Sequence, residues 1–140
     1  MGEAPCFAHL LDDRGEIPDA PRIRIERVYD LADKDHGEAR VLVDRVWPRG
    51  IRKDSLNLDR WVKDIAPSQT LRRWFAHDPK KWSDFQYRYR IELAGKAAAL
   101  RELAQIARDR PLVLLYSARD KEHNQAVVLK DVLEEGIRNS

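Results

Sequence analysis

Two short polar segments of this 140-residue chain carry side chains suited to holding an anion. The first reads Asp44-Arg45-Val46-Trp47-Pro48-Arg49-Gly50-Ile51-Arg52-Lys53, and from Arg40 to Lys53 five basic residues stand against one acid. The second reads Ser117-Ala118-Arg119-Asp120-Lys121-Glu122-His123-Asn124. Arg45, Arg49 and Arg119 supply forked guanidinium groups, which grip phosphate or carboxylate through paired hydrogen bonds. Ser117 and Asn124 add a hydroxyl and an amide. His123 supplies an imidazole, a group able to take up or give a proton, and Trp47 offers a ring face for stacking. The expected ligand-binding set is therefore Arg45, Trp47, Arg49, Ser117, Arg119, His123 and Asn124, with no catalytic residue assigned. Each has an ordinary alternative role. Arg45 can pair with Asp44 or Asp120 to lock loops, Trp47 can pack in the interior, and His123 can cap the helix that follows it.

The elements around these segments read as α/β. Alternation from Arg22 to Val28 predicts a first strand. Arg40 to Val46, dense in β-branched residues, predicts a second that stops at Pro48. The uninterrupted apolar run Pro111 to Tyr116 predicts a central strand buried on both faces. Ser68 is placed to cap a helix ending near His77, with Leu71, Trp74 and Phe75 on its apolar stripe. Asp78-Pro79 opens a long helix whose apolar face runs through Trp82, Phe85, Leu93 and Leu103, with Gly95 a point of bending or breakage. Lys81, Arg88 and Glu92 are expected in solvent. Asn124 to Ile137 reads as a closing helix, and the stretch from Ile51 to Pro67 carries no clear period. The fold class that follows is a small open sheet, mainly parallel, with flanking helices in a three-layer, Rossmann-like arrangement. The second and third strands should be parallel neighbours or near-neighbours, because helices separate them in the chain. Ligands of such sheets bind beyond the carboxyl ends of the strands. Both polar segments leave from there.

Several function classes are excluded by what the chain lacks. Cys6 is its only cysteine, and His9, His36, His77 and His123 are widely separated, so neither a disulfide nor a metal-ligand cluster is expected. No Gly-rich phosphate loop or other cofactor motif is present, so no cofactor is assigned. No apolar run approaches the roughly 20 residues of a membrane span, and no secretory signal opens the chain, which makes the cytoplasm the expected location and rules out a membrane partner. Residues 1–21 read as a flexible extension and 22–140 as one α/β domain.

Arg27-Val28-Tyr29-Asp30, Val43-Asp44-Arg45-Val46-Trp47-Pro48-Arg49-Gly50, Leu114-Leu115-Tyr116-Ser117-Ala118 and His123-Asn124 together resemble the domain-of-unknown-function family 488, in its YeaO-like branch. The resemblance spans about Ile23 to Glu134. The wider family often places a Cys at the end of the last strand and a Cys-His-Arg run at the start of the last helix. Tyr116 and Asn124-Gln125-Ala126 stand here instead, so a thiolate nucleophile or metal ligand borrowed from those relatives is missing. The branch often carries His after Asn124, where this chain has Gln125. Besides a structural-staple role for the motif, with function located in a complex, two functional expectations follow. The leading one is a pocket for a small anionic or phosphorylated ligand at the carboxyl edge of the sheet, with or without enzymatic turnover. The alternative is a nucleic-acid-binding or transcription-related role for the basic 40–53 segment, although no recognised nucleic-acid motif supports it.

Overall fold

Residues 23–31 and 37–139 are described by a computed structural model, so the expected extension, Arg22, Cys6, His9 and His36 lie outside the described residues. Four parallel strands form one sheet: β1 (Ile23–Arg27), β2 (Ala39–Leu42), β3 (Arg60–Trp61) and β4 (Leu112–Tyr116), in the order β1-β4-β2-β3. All five residues of β4 are buried, as its continuous apolar sequence predicts for a strand covered on both faces. Leu112, Leu114 and Tyr116 share one cluster with Val41, Val43 and the helices, while Val113, Leu115 and Leu42 enter a second with Val28 and Leu56. The alternation is the period of two that a pleated strand imposes.

The two faces are covered differently. One carries all the buried residues of the α-helices. The other is closed by the irregular chain that follows β2, through Trp47, Ile51, Leu56 and Leu58. The three layers are therefore helix, sheet and loop. Gly50, at φ +80°, supports the turn in that loop, where the Ile51 N–H donates to the Pro48 carbonyl.

The second strand is shorter than the Arg40 to Val46 expected, because past Leu42 only the Val43 N–H extends the ladder, to the Leu115 carbonyl. After that the chain turns outward, and Val46 is 63% exposed. β3 has no counterpart in the sequence reading. It consists of two residues whose flanks are pinned by Asp59 N–H to the Arg40 carbonyl and Val62 N–H to the Leu42 carbonyl. A strand that short has no length over which periodicity can register.

α1 (Gln69–Phe75) begins where expected, with the Ser68 hydroxyl accepting from the Leu71 N–H. The long helix is two: α2 (Trp82–Ala94) and α3 (Ala97–Asp109), separated at Gly95 and Lys96. Lys96 explains the break, since its ammonium group donates to the Asp64 and Ala66 carbonyls and so turns toward the segment before α1. Phe85, Tyr89 and Leu93 are buried and Trp82 half-buried, as the apolar face of α2 requires. Arg88 is exposed and lies over the Trp74 ring. Glu92 departs from its expected place in solvent. Its carboxylate accepts from the Ser68 N–H at 2.8 Å and hydroxyl at 2.6 Å, joining α2 to the start of α1. Tyr89, buried within the same layer, donates to the Ile65 carbonyl at 2.6 Å. α4 (Gln125–Arg138) closes the chain. No helix among the described residues is long and apolar enough to cross a membrane.

Phe85 is the hinge of the aromatic layer, stacked on Phe75 at 4.4 Å and on Trp82 at 5.6 Å. Phe85→Ala should therefore cost about 3–5 kcal/mol in urea unfolding. Tyr87→Ala, two residues away and 68% exposed, should stay within about 0.5 kcal/mol of the parent. Equal losses would mean that α2 presents another face to the core.

Candidate functional site

The parallel register fixes the floor of the site. Leu42 pairs with Leu115, so two residues further on Asp44 comes to lie beside Ser117 as both strands leave the sheet at the same end. The Ser117 hydroxyl donates to Asp44 Oδ2 at 2.5 Å, and Gln125 Nε2, from the first residue of α4, donates to Oδ1 at 2.5 Å. Asp44 is 8% exposed. Burial pushes its carboxyl above the ordinary aspartate range, while the Ser117 and Gln125 donors, the Ser117 backbone N–H and the nearby Arg72 charge pull against it.

Above this floor opens a pocket of about 710 Å³ at the carboxyl ends of β2 and β4. Arg45, Ser117, Arg119, His123 and Asn124, five of the seven expected residues, line it. Trp47 and Arg49 do not. Trp47 lies on the opposite face of the sheet, edge-on to Trp61 at 5.2 Å and donating from its indole N–H to the Ile51 carbonyl at 2.6 Å. Arg49 is exposed in the loop, where its carbonyl accepts from the Tyr29 hydroxyl. The basic segment is thus divided. Arg40 is buried and donates to the Leu56 carbonyl, Arg45 turns to the pocket, and Arg49, Arg52 and Lys53 stay exposed, with Arg52 paired to Asp54.

The remaining expected residues take defined places. Arg45 bridges neither Asp44 nor Asp120. Its guanidinium donates instead, over 3.3 to 3.4 Å, to the Ala66 and Pro67 carbonyls. Asn124 is buried and caps α4, its Oδ1 accepting from the Ala126 and Val127 N–H groups while Nδ2 donates to the Asp120 carbonyl. His123 Nδ1 stands 2.8 Å from Asp120 Oδ2, and its ring meets Trp82 edge-on at 5.2 Å. The Glu122 N–H and the His123 contacts hold Asp120 below the usual carboxylate range.

Sequence reasoning missed the contribution of α1. Gln69, Arg72 and Arg73 lie at i, i+3 and i+4 and line the pocket, while Leu71 and Phe75 turn into the core. That polar spacing was visible, but nothing in it distinguishes a pocket wall from a solvated face. Four arginines (Arg45, Arg72, Arg73 and Arg119) and two carboxylates (Asp44 and Asp120) therefore surround one cavity. Both carboxylates are engaged elsewhere, Asp44 by Ser117 and Gln125, Asp120 by His123. Among the described residues none of the four arginines forms an ion pair.

Asp44 gives this geometry a pH signature. Its folded value lies above its unfolded one, so its stabilising contribution is complete below the ordinary value of 3.8 and is lost as pH rises through the folded value. The stability of the parent relative to Asp44→Asn should accordingly fall as pH rises across the mildly acid range, read by urea unfolding. A rising difference would show that the carboxylate is stabilised by its donors more than it is penalised by burial.

Residues 22–140 match the family described as the Inactive DUF488-N3 subclade. The chain is 46% identical over 111 residues to "Uncharacterized protein YeaO" of Escherichia coli strain K12, covering 79% of this chain and 96% of that protein. It is 42% identical over 112 residues to "Uncharacterized protein Mb3100c" of Mycobacterium bovis and "Uncharacterized protein Rv3073c" of Mycobacterium tuberculosis strain H37Rv, covering 80% of this chain and 93% of each relative. No solved structure matches. With an all-parallel α/β fold, this motif set and these relatives, the chain belongs to the DUF488 family, in its Inactive DUF488-N3 subclade.

Proposed function

We propose that the pocket binds a small anionic ligand, phosphorylated or phosphate-like, and holds it without turning it over. The observation that carries this reading is the set of four arginines around one cavity with no ion-paired carboxylate among the described residues. Guanidinium groups gathered around one cavity repel one another, and a bound oxyanion relieves that repulsion through charge-assisted, bidentate bonds. A cavity of about 710 Å³ is of the size that small-molecule sites occupy. Its position beyond the carboxyl ends of β2 and β4 is where open parallel sheets bind ligands. Binding without chemistry fits the subclade's description as inactive. The nucleic-acid alternative draws less support, because the basic 40–53 segment is split between the interior, the pocket and the solvent.

Phosphate-induced stabilisation tests the reading. A ligand at about 100 times its Kd adds roughly 2.7 kcal/mol to the folded state. Inorganic phosphate or a nucleoside monophosphate should raise the melting temperature of the parent and of Arg49→Ala alike, while Arg72→Ala and Arg119→Ala should lose most of the shift. No shift for any of these anions, or a shift lost only in Arg49→Ala, would overturn the assignment.

A further inference from the structure

Asp44 is out of character with the rest of the pocket. Four cations draw an anion in, yet a buried carboxylate lies in its floor, where it repels any anion that approaches it bare. Its hydrogen bonding points to what relieves this. An ionised carboxylate has about four lone-pair sites. The Ser117 hydroxyl and the Gln125 amide supply donors to two of them. Each is a donor, so both are matched to the ionised form of the acid. At least one acceptor site is left, on a residue that lines the cavity.

An oxyanion can lie against that site only if it brings a proton of its own. Inorganic phosphate retains a P–OH group near neutrality, because its hydrogen phosphate form is still protonated. Sulfate, of the same shape and charge, carries no proton there. Against a carboxylate the first makes a short charge-assisted hydrogen bond, whereas the second meets two like charges and leaves a buried acceptor unsatisfied.

We propose that Asp44 is a specificity-determining residue of the pocket, accepting a hydrogen bond from the hydroxyl of a protonated tetrahedral oxyanion, with inorganic phosphate the simplest such ligand, and rejecting sulfate. The proposal rests on the reading of the pocket as an anion site and names the class of anion it takes. The arginines supply attraction common to both anions. Asp44 supplies the repulsion that separates them, and discrimination by a built-in repulsive element is a general route to specificity.

Isothermal calorimetry in neutral, low-salt buffer, with inorganic phosphate and inorganic sulfate as titrants, tests it on the whole chain. In the parent, phosphate should bind roughly tenfold or more tightly than sulfate, the size of penalty that an unpaired buried polar group imposes on the wrong ligand. Asp44→Asn, whose amide can donate to either anion, should bring the two affinities together chiefly by strengthening sulfate binding. Asp44→Ser should do the same if the Asn variant does not fold. Arsenate, protonated like phosphate, should follow phosphate, and perchlorate, which is not, should fail to bind. Equal binding of phosphate and sulfate by the parent would overturn the role of Asp44 while leaving the anion pocket intact. Selectivity that persists in Asp44→Asn would also overturn it. Binding of neither anion would remove the pocket reading and this inference together.

Discussion

A carboxylate withdrawn from water at the end of β2 is the contact on which the site depends. Asp44 joins three chain segments that meet nowhere else in sequence: its own strand end, the exit of β4 at Ser117, and the first turn of α4 at Gln125. Burial alone would make such a group costly, and in the absence of donors it would take up a proton. The parallel register of β2 and β4 provides the first donor, and the Asn124 cap, by fixing where α4 starts, provides the second. The loop between β4 and α4 is thereby tied at both ends, and the Asp120 and His123 contacts within it follow.

The unequal covering of the sheet accounts for the division of the basic segment. The chain leaving β2 must first satisfy Asp44 at the helical side and then cross to seal the opposite face with Trp47 and Ile51. Arg45 falls before that crossing and reaches the pocket, whereas Arg49, Arg52 and Lys53 fall after it and face water. Contiguity in sequence does not make these cations one surface. Two of the arginines that join Arg45, Arg72 and Arg73, come from α1, brought over the sheet end by the Glu92 bonds to Ser68 and by Tyr89 and Lys96, which bind the carbonyls of the segment leading into α1.

The parts of this arrangement that are local in sequence were legible there. The central strand announced itself as the run Pro111 to Tyr116, α1 through Ser68 and its apolar stripe, and the parallel pairing of β2 with β4 through the helices between them. Gly95 marked the break between α2 and α3. What escaped depends on distant partners. β3 exists because Arg40 and Leu42 offer carbonyls to a neighbour, not because two residues have strand character. Glu92 looks like a solvent residue until Ser68 is placed beside it. Trp47 and Arg49 share a motif with Arg45, but a motif says nothing about which side of a sheet each residue turns to. Asp44 drew notice only as a partner for Arg45, since the residues that bury it, Ser117 and Gln125, lie more than 70 positions away.

The pocket gathers four arginines against two carboxylates, so its lining carries an excess of positive charge. The central claim is that this imbalance is a binding site. A crystal structure grown in inorganic phosphate tests it most directly. Phosphate is expected between α1 and the β4–α4 loop, its oxygens about 3 Å from guanidinium nitrogens of Arg72 or Arg73 and one of them against Asp44. Phosphate seated only on the exposed Arg49, Arg52 and Lys53, with the pocket holding water alone, would contradict it.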